Sequence, residues 1–114
     1  MNEMLESLKA VSDGTRFRLL MLLREGEACV CELMGVFEMA QSKLSHHLIV
    51  LRNAGFLIDT KRGKWNYYRL GSLTGRNRRI LKIMTSEFGD DSVTRQDRLK
   101  LQKVRKAMNI CCER

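Results

Sequence analysis

Residues 28–57, ACVCELMGVFEMAQSKLSHHLIVLRNAGFL, decide how this chain is organised. Leu44, Leu48 and Leu51 stand at i, i+4 and i+7, a single apolar stripe that seats a helix on a core. The opposite face carries Gln41, Ser42, Lys43, Ser45, His46 and Arg52. These are short hydrogen-bonding or cationic groups, the kinds that reach base edges and phosphates in a major groove. Ahead of them, Val30, Leu33 and Phe37 mark the inner side of a first helix, and Asn53-Ala54-Gly55 ends the second. The pattern predicts a helix-turn-helix, although an ordinary helical hairpin with a polar outer face shares this periodicity. Two thiols, Cys29 and Cys31, stand at the front of the first helix.

Upstream, residues 2–12 predict a helix with Met4, Leu5, Leu8 and Val11 as its apolar side. Asp13 is placed to cap the next helix, where Phe17, Leu20 and Leu23 share one face and Leu19 and Leu22 extend the apolar surface past half the circumference. That helix is expected at the centre of the core, stopped by Gly26. Downstream of Gly55 the period changes from helical to alternating. Residues 56–60 and 64–70 predict two strands closed by Lys61-Arg62-Gly63, with Gly63 supplying the positive φ of a tight hairpin. Lys61, Arg62 and Lys64 at the tip suit a loop lying along a phosphate backbone. A solvated hairpin tip is charged too, but directly after a helix-turn-helix the hairpin becomes a wing. Trp65, Tyr67 and Tyr68 are read as packing residues, with base stacking as the alternative.

The helical period returns over 74–88, with Ile80, Leu81, Met84 and Phe88 on one side and Arg76, Arg78 and Arg79 at its start. Gly89-Asp90-Asp91 breaks it. Residues 92–108 predict a charged helix in which only Val93, Leu99, Leu101, Val104 and Met108 are apolar; packing on a partner subunit and hanging partly loose are both open. The sequence closes on Cys111-Cys112, just before its last two residues.

With 21 Lys and Arg against 13 Asp and Glu, the net charge is +8 over 114 residues. That balance favours a polyanionic partner, nucleic acid before an anionic membrane. No apolar run approaches the roughly 20 residues that span a bilayer, and the first residues lack a signal-peptide core. A cytoplasmic location is therefore expected, where four cysteines serve metal or redox chemistry rather than a disulfide framework. No phosphate-cradling glycine loop, carboxylate pair or Ser/His/Asp or Cys/His set has supporting context, so an enzyme is not expected.

Taken together, SDGTR at 12–16, CVCEL at 29–33, the pattern S-x-H-L-x-x-L-R-x-A-G at 45–55 and G-K-W-x-x-Y-R-L at 63–70 resemble the ArsR/SmtB metalloregulatory repressors. The likeness runs from about Leu5 to Phe88. It implies a mainly α winged helix-turn-helix with a small β-hairpin, residues 1–90 forming the DNA-binding and dimerisation domain and 91–114 a charged helix with a Cys-Cys tail. It implies a homodimer joined through its first and last core helices, a two-fold operator in double-stranded DNA, and release of that DNA when metal binds. Gln41, Ser42, Lys43, Ser45, His46 and Arg52 would face bases and phosphates, and Lys61, Arg62 and Lys64 would be wing contacts. His47 matches the family's histidine before leucine and is read as a packing or phosphate-contacting residue rather than a ligand. CVCEL resembles the arsenic-responsive branch, in which thiols at this position bind As(III) or Sb(III). The sequence departs from the pattern at Ala40, where a Ser often starts the recognition helix, and at Met34, where some arsenic sensors carry a third Cys. The last core helix also lacks the Asp/His/Glu set of the zinc-responsive branch.

Thiolates select soft ions, and a helix N-terminus lowers thiol pKa, so Cys29 and Cys31 suit arsenite or antimonite with no organic cofactor. Residues i and i+2 do not share a helix face. Both sulfurs are therefore expected to reach one ion only if the first helical turn unwinds, which would shift the reading helix. Cys111 or Cys112, from the same chain or the partner, could supply a third sulfur, or the pair could form a separate site. The alternatives in function are a repressor of the same fold responding to Cd(II) or Pb(II), a thiol redox or persulfide switch, and an architectural nucleic-acid binder with incidental cysteines.

Overall fold

Asp13 starts the helix around which the others assemble. Its backbone is extended and its carboxylate accepts the N–H groups of Thr15 (2.9 Å) and Arg16 (3.1 Å), which no carbonyl of the helix can reach. The Arg16 hydrogen bond is the main cause of a carboxyl pKa held below its ordinary value. The computed structural model describes residues 2–108, so Cys111 and Cys112 lie outside the described residues. The elements run α1 (Asn2–Val11), α2 (Gly14–Leu23), β1 (Ala28–Cys29), α3 (Val30–Phe37), α4 (Gln41–Asn53), β2 (Leu57–Arg62), β3 (Trp65–Leu70), α5 (Gly75–Phe88) and α6 (Ser92–Met108). Leu19 through Leu23 of α2 are all buried, and Leu33, Val36, Leu44, Leu48, Leu51 and Phe56 close around them.

Three details differ from what periodicity predicts. Ala28 and Cys29 form a short strand, β1, paired antiparallel with Tyr68 and Tyr67 of β3, so the sheet order is β1-β3-β2. Two residues are too few to show an alternation, and their partner lies far along the chain. The hairpin also turns later than expected. Lys61 and Arg62 belong to β2, Arg62 faces Trp65, and the turn is Gly63-Lys64 with φ 62° at Gly63, the residue type this twist requires. Finally, Met4, Leu5 and Leu8 of α1 do not face the chain's own core; they are exposed, while Ser7 and Ala10 are buried. Ser7 Oγ donates to Asn77 Oδ1 (2.8 Å) and Asn77 Nδ2 donates to the Ala54 carbonyl (2.8 Å), a buried polar link joining α1, α5 and the end of α4.

The charged helix α6 packs on α2 and α3 of its own chain, a placement its sequence did not suggest. Arg18 donates to Asp97 from both Nε (2.9 Å) and Nη2 (2.7 Å), and Asp97 is buried. The same guanidinium lies 4.8 Å from the centre of the Phe37 ring. Leu101 is buried, and Gly35 lets α3 approach so closely that an added Cβ would lie 3.0 Å from both methyls of Val104.

His47 lies on the flank of α4, with its Nδ1 3.1 Å from Arg16 Nη1. A guanidinium only donates, so Nδ1 must be the lone-pair nitrogen and the ring is neutral. Burial is the largest cause of a pKa below the ordinary 6.5, opposed by Asp13. The histidine is thus a packing residue of the α2–α4 joint.

Arg18→Ala should lower stability to urea by on the order of 1–3 kcal/mol, because it strands a buried carboxylate. Arg18→Ala with Asp97→Ala should recover most of that loss; two additive losses would show that the pair does not join α6 to α2. The unfolded state protonates His47 more readily than the folded state does, so its contribution is complete above pH 6.5 and is lost as pH falls below that value. Thermal unfolding of His47→Gln should therefore decline less than the native protein's between about pH 7.5 and 5, and parallel declines would assign the acid sensitivity elsewhere.

Candidate nucleic-acid interface and thiol pair

The outer face of α4 follows from its inner one. Leu44, Leu48 and Leu51 are fully buried, which turns Gln41, Ser42, Lys43 and His46 to solvent and leaves Ser45 partly covered. Ala40 is the N-cap and no side chain caps the helix, so the departure noted in the sequence has a structural counterpart. The start of α4 consequently presents N–H groups and the positive end of the helix dipole beside Lys43, a combination that suits phosphate.

The hairpin brings a second set of groups to the same place. Gln41 and Ser45 of α4, Lys61 of β2, Lys64 of the turn and Trp65 of β3 line a cleft of about 450 Å³. Lys64 Nζ lies 5.3 Å from the centre of the Trp65 ring. Tyr67 and Tyr68 are buried and serve packing, as the sequence suggested. Two expected contacts point elsewhere. Arg52, at the far end of α4, pairs with Asp59 of β2 at 3.6 Å, joining helix to hairpin. Arg62 donates to both Glu27 oxygens (2.7 and 2.9 Å) and lies 4.5 Å from the centre of the Tyr67 ring. The structure thus gathers Gln41, Ser45, Lys61 and Lys64 around one cleft, leaves Ser42, Lys43 and His46 exposed on the adjoining helix, and engages Arg52 and Arg62 with carboxylates.

Cys29 and Cys31 line that same cleft, together with Met34. Cys29 is the N-cap of α3, with φ −79° and ψ 148°, and Cys31 is the second helical residue. The i, i+2 separation rule holds for two helical residues, and Cys29 is extended. The sulfurs accordingly converge to 2.8 Å and share a hydrogen bond. The two sulfurs therefore meet with α3 fully wound, because Cys29 lies just outside the helix. Cys29 is also buried against Tyr67, the cross-strand partner that β1 gives it.

The sequence reading missed Glu32 and Arg105. Glu32 Oε1 accepts the Cys29 N–H at 2.9 Å, the return half of a capping box in which cysteine occupies the usual serine position. Its other oxygen accepts from Arg105 Nε of α6 at 3.2 Å, and Arg105 Nη2 donates to the Glu27 carbonyl at 2.7 Å. The spacing Cys29-x-x-Glu32 was the available signal for the box; nothing in the sequence pointed to Arg105. Among the described residues, no group of three or more His, Cys, Asp or Glu is arranged to hold a metal ion. Two soft sulfurs in a cleft fit a thiophilic ion better than a hard cation that wants oxygen ligands.

Residues 13–59 match the family model for bacterial regulatory proteins of the arsR family. The chain is 52% identical over 63 residues to an arsenic resistance transcriptional regulator of Pseudomonas putida, covering 54% of this chain and 49% of that one. It is 45% identical over 67 residues to the arsenical resistance operon repressor of Escherichia coli, covering 58% and 57% of the two chains. The chain thus spans about half the length of these relatives. A crystal structure of a possible transcriptional regulator for arsenical resistance superposes with a TM-score of 0.59 at 33% identity, covering 79% of this chain and 91% of that one. With the helix-turn-helix, hairpin and thiol pair in place, these matches identify the chain as a member of the arsR family of bacterial regulatory proteins.

Proposed function

We propose that this chain is a cytoplasmic, metal(loid)-responsive transcriptional repressor that binds double-stranded operator DNA as a homodimer and leaves it when As(III) or Sb(III) binds Cys29 and Cys31. The observation that carries this reading is the shared cleft: the thiols, the start of the reading helix and the wing lysines line one cavity. The names of the relatives, arsenic resistance regulators and an operon repressor, support the choice of inducer.

The mechanism follows from the walls of the cleft. Gln41 and Ser45 present hydrogen-bonding groups to base edges, while Lys61 and Lys64 reach phosphates. Both sets must hold a fixed spacing to grip one groove and its backbone. Cys29 and Cys31 would hold the ion in the cleft they share with α4 and the hairpin, and accommodating it there would change that spacing. DNA binding and ion binding then compete through one small movement. Met4, Leu5 and Leu8 of α1 and Ile83 of α5 are exposed apolar residues on packed helices, the surface available to a second copy. Two copies related by a two-fold axis would present two reading helices to a two-fold operator.

The test is release of a labelled promoter fragment at fixed salt, titrated separately with arsenite, antimonite, cadmium and lead. The native protein should dissociate at near-stoichiometric arsenite or antimonite, whereas Cys29→Ser/Cys31→Ser should bind DNA and stay bound. Release of that variant by arsenite would refute the ligands. Release only by cadmium or lead would change the inducer, and release by oxidant or persulfide without any metal would make the thiols a redox switch. Within the DNA site, Gln41→Ala should cost about 1–3 kcal/mol at the operator alone, while Lys64→Ala should weaken all sequences alike and reduce the salt slope by about one. Binding with no operator preference would overturn the repressor.

A further inference from the structure

Helix α6 carries six cationic side chains and one carboxylate, Asp97. Asp97 is buried and held by Arg18, so the solvent-facing side of the helix has no acid of its own to offset its charge. Three of the cations are engaged by carboxylates of other elements: Arg98 with Glu25 (2.7 Å), Lys100 with Glu38 (2.6 Å) and Arg105 with Glu32 (3.2 Å). The others, Arg95, Lys103 and Lys106, are exposed. Arg95 donates to the neutral Asp90 carbonyl, and among the described residues Lys103 and Lys106 form no ion pair. This charge lies outside the cleft assigned above.

We propose, resting on the operator-binding reading above, that the outer face of α6 is a second DNA-contacting surface, on which Lys103 and Lys106 hold phosphates that flank the groove read by α4. The placement comes from α3. Helix α6 runs antiparallel to it: Lys100 meets Glu38 at the end of α3, Val104 packs on Gly35, and Arg105 meets Glu32 in the first turn. In a helix-turn-helix the second helix enters the major groove while the first crosses the sugar-phosphate backbone. Here α3 is that first helix, so a helix packed along it lies beside the backbone and outside the groove. Lysines there meet phosphate as point charges and carry no base preference. Lys100 contributes differently. Glu38 is an exposed acid two residues before Ala40, the N-cap of α4, and an unpaired carboxylate at that place would repel the same phosphates. Lys100 cancels it. An anionic membrane is the competing polyanion, but a helix lying on a bilayer must bury an apolar face in it. In α6 Leu101 is buried and Val104 is turned to α3, which withholds that face.

Salt titration of binding to nested promoter fragments tests the proposal, using the full chain, Lys103→Gln/Lys106→Gln and Lys103→Arg/Lys106→Arg. Each phosphate contact contributes about 0.9 to the slope of log K against log salt, so on the long fragment the Gln variant should lose about 3–4 from the slope of a dimer. On a fragment trimmed to the operator core its slope should equal the native one. Hydroxyl-radical footprints on the long fragment should lose their flanking protection in the Gln variant only, and the Arg variant, which keeps the charge, should match the native protein in both readouts. Preference for the operator over a scrambled duplex should be the same in all three, because phosphates carry no sequence. Equal slopes and footprints for the native protein and the Gln variant would overturn the proposal and leave the repressor reading intact. A slope loss of the same size on the trimmed fragment would also overturn it, since the lysines would then act inside the core. Binding to phosphatidylserine vesicles that the Gln variant loses, with its DNA slope unchanged, would give the face to a membrane instead. The expected slope difference in a protein without operator preference would keep the α6 surface and overturn the repressor.

Discussion

A carboxylate with almost no contact with water must have its charge matched inside the protein, and Glu32 is such a group. Its two oxygens are satisfied by different parts of the chain: the Cys29 backbone at the start of α3 and the Arg105 side chain of α6. The first bond fixes Cys29 as the extended N-cap and so sets where both sulfurs point. The second makes α6 a support for that geometry. Release either bond and a buried charge loses a partner, so the thiol pair, the start of α3 and the last turns of α6 behave as one unit.

That unit adjoins the cleft lined by α4 and the hairpin through the sheet. β1 contributes Cys29, β3 contributes Tyr67 beneath it, and β2 carries Lys61 toward the cleft. The hairpin that carries Lys61 and Lys64 is therefore hydrogen-bonded to the strand that carries Cys29. Arg62 and Glu27 reinforce the junction, and Arg105 reaches the Glu27 carbonyl from the other side. A change at the sulfurs has a short, covalently and hydrogen-bonded route to the wing. On the far side of α4, the Asn77 link to Ala54 and Ser7 connects the end of the reading helix to α1 and α5. The reading helix is thus held at its start by the cleft and at its end by the helices that expose apolar side chains.

Much of this was legible in particular residues. The leucines at 44, 48 and 51 announced the reading helix and its outward face, and all three are fully buried. Asp13 announced its cap, and Ser92 to Met108 announced a charged helix with the observed limits. What remained hidden depended on contacts distant in sequence. The strand at Ala28 and Cys29 exists because β3 is there to receive it. Arg18 to Asp97 and Arg105 to Glu32 join charges that no local pattern relates. Met4, Leu5 and Leu8 of α1 form an apolar stripe that is exposed, and periodicity alone does not say against what a stripe packs.

By itself, the sequence determined the helix order, the outward face of α4 and the β-hairpin after it, because these follow from local periodicity, caps and turn residues. Tertiary structure alone decided that Cys29 is extended, that its sulfur meets that of Cys31, and that both open into the cleft of Gln41, Ser45, Lys61 and Lys64. The reason is that a residue at the edge of a helix takes its backbone angles from the partner it pairs with, and that partner, Tyr67, belongs to a strand the chain forms only after passing through the reading helix.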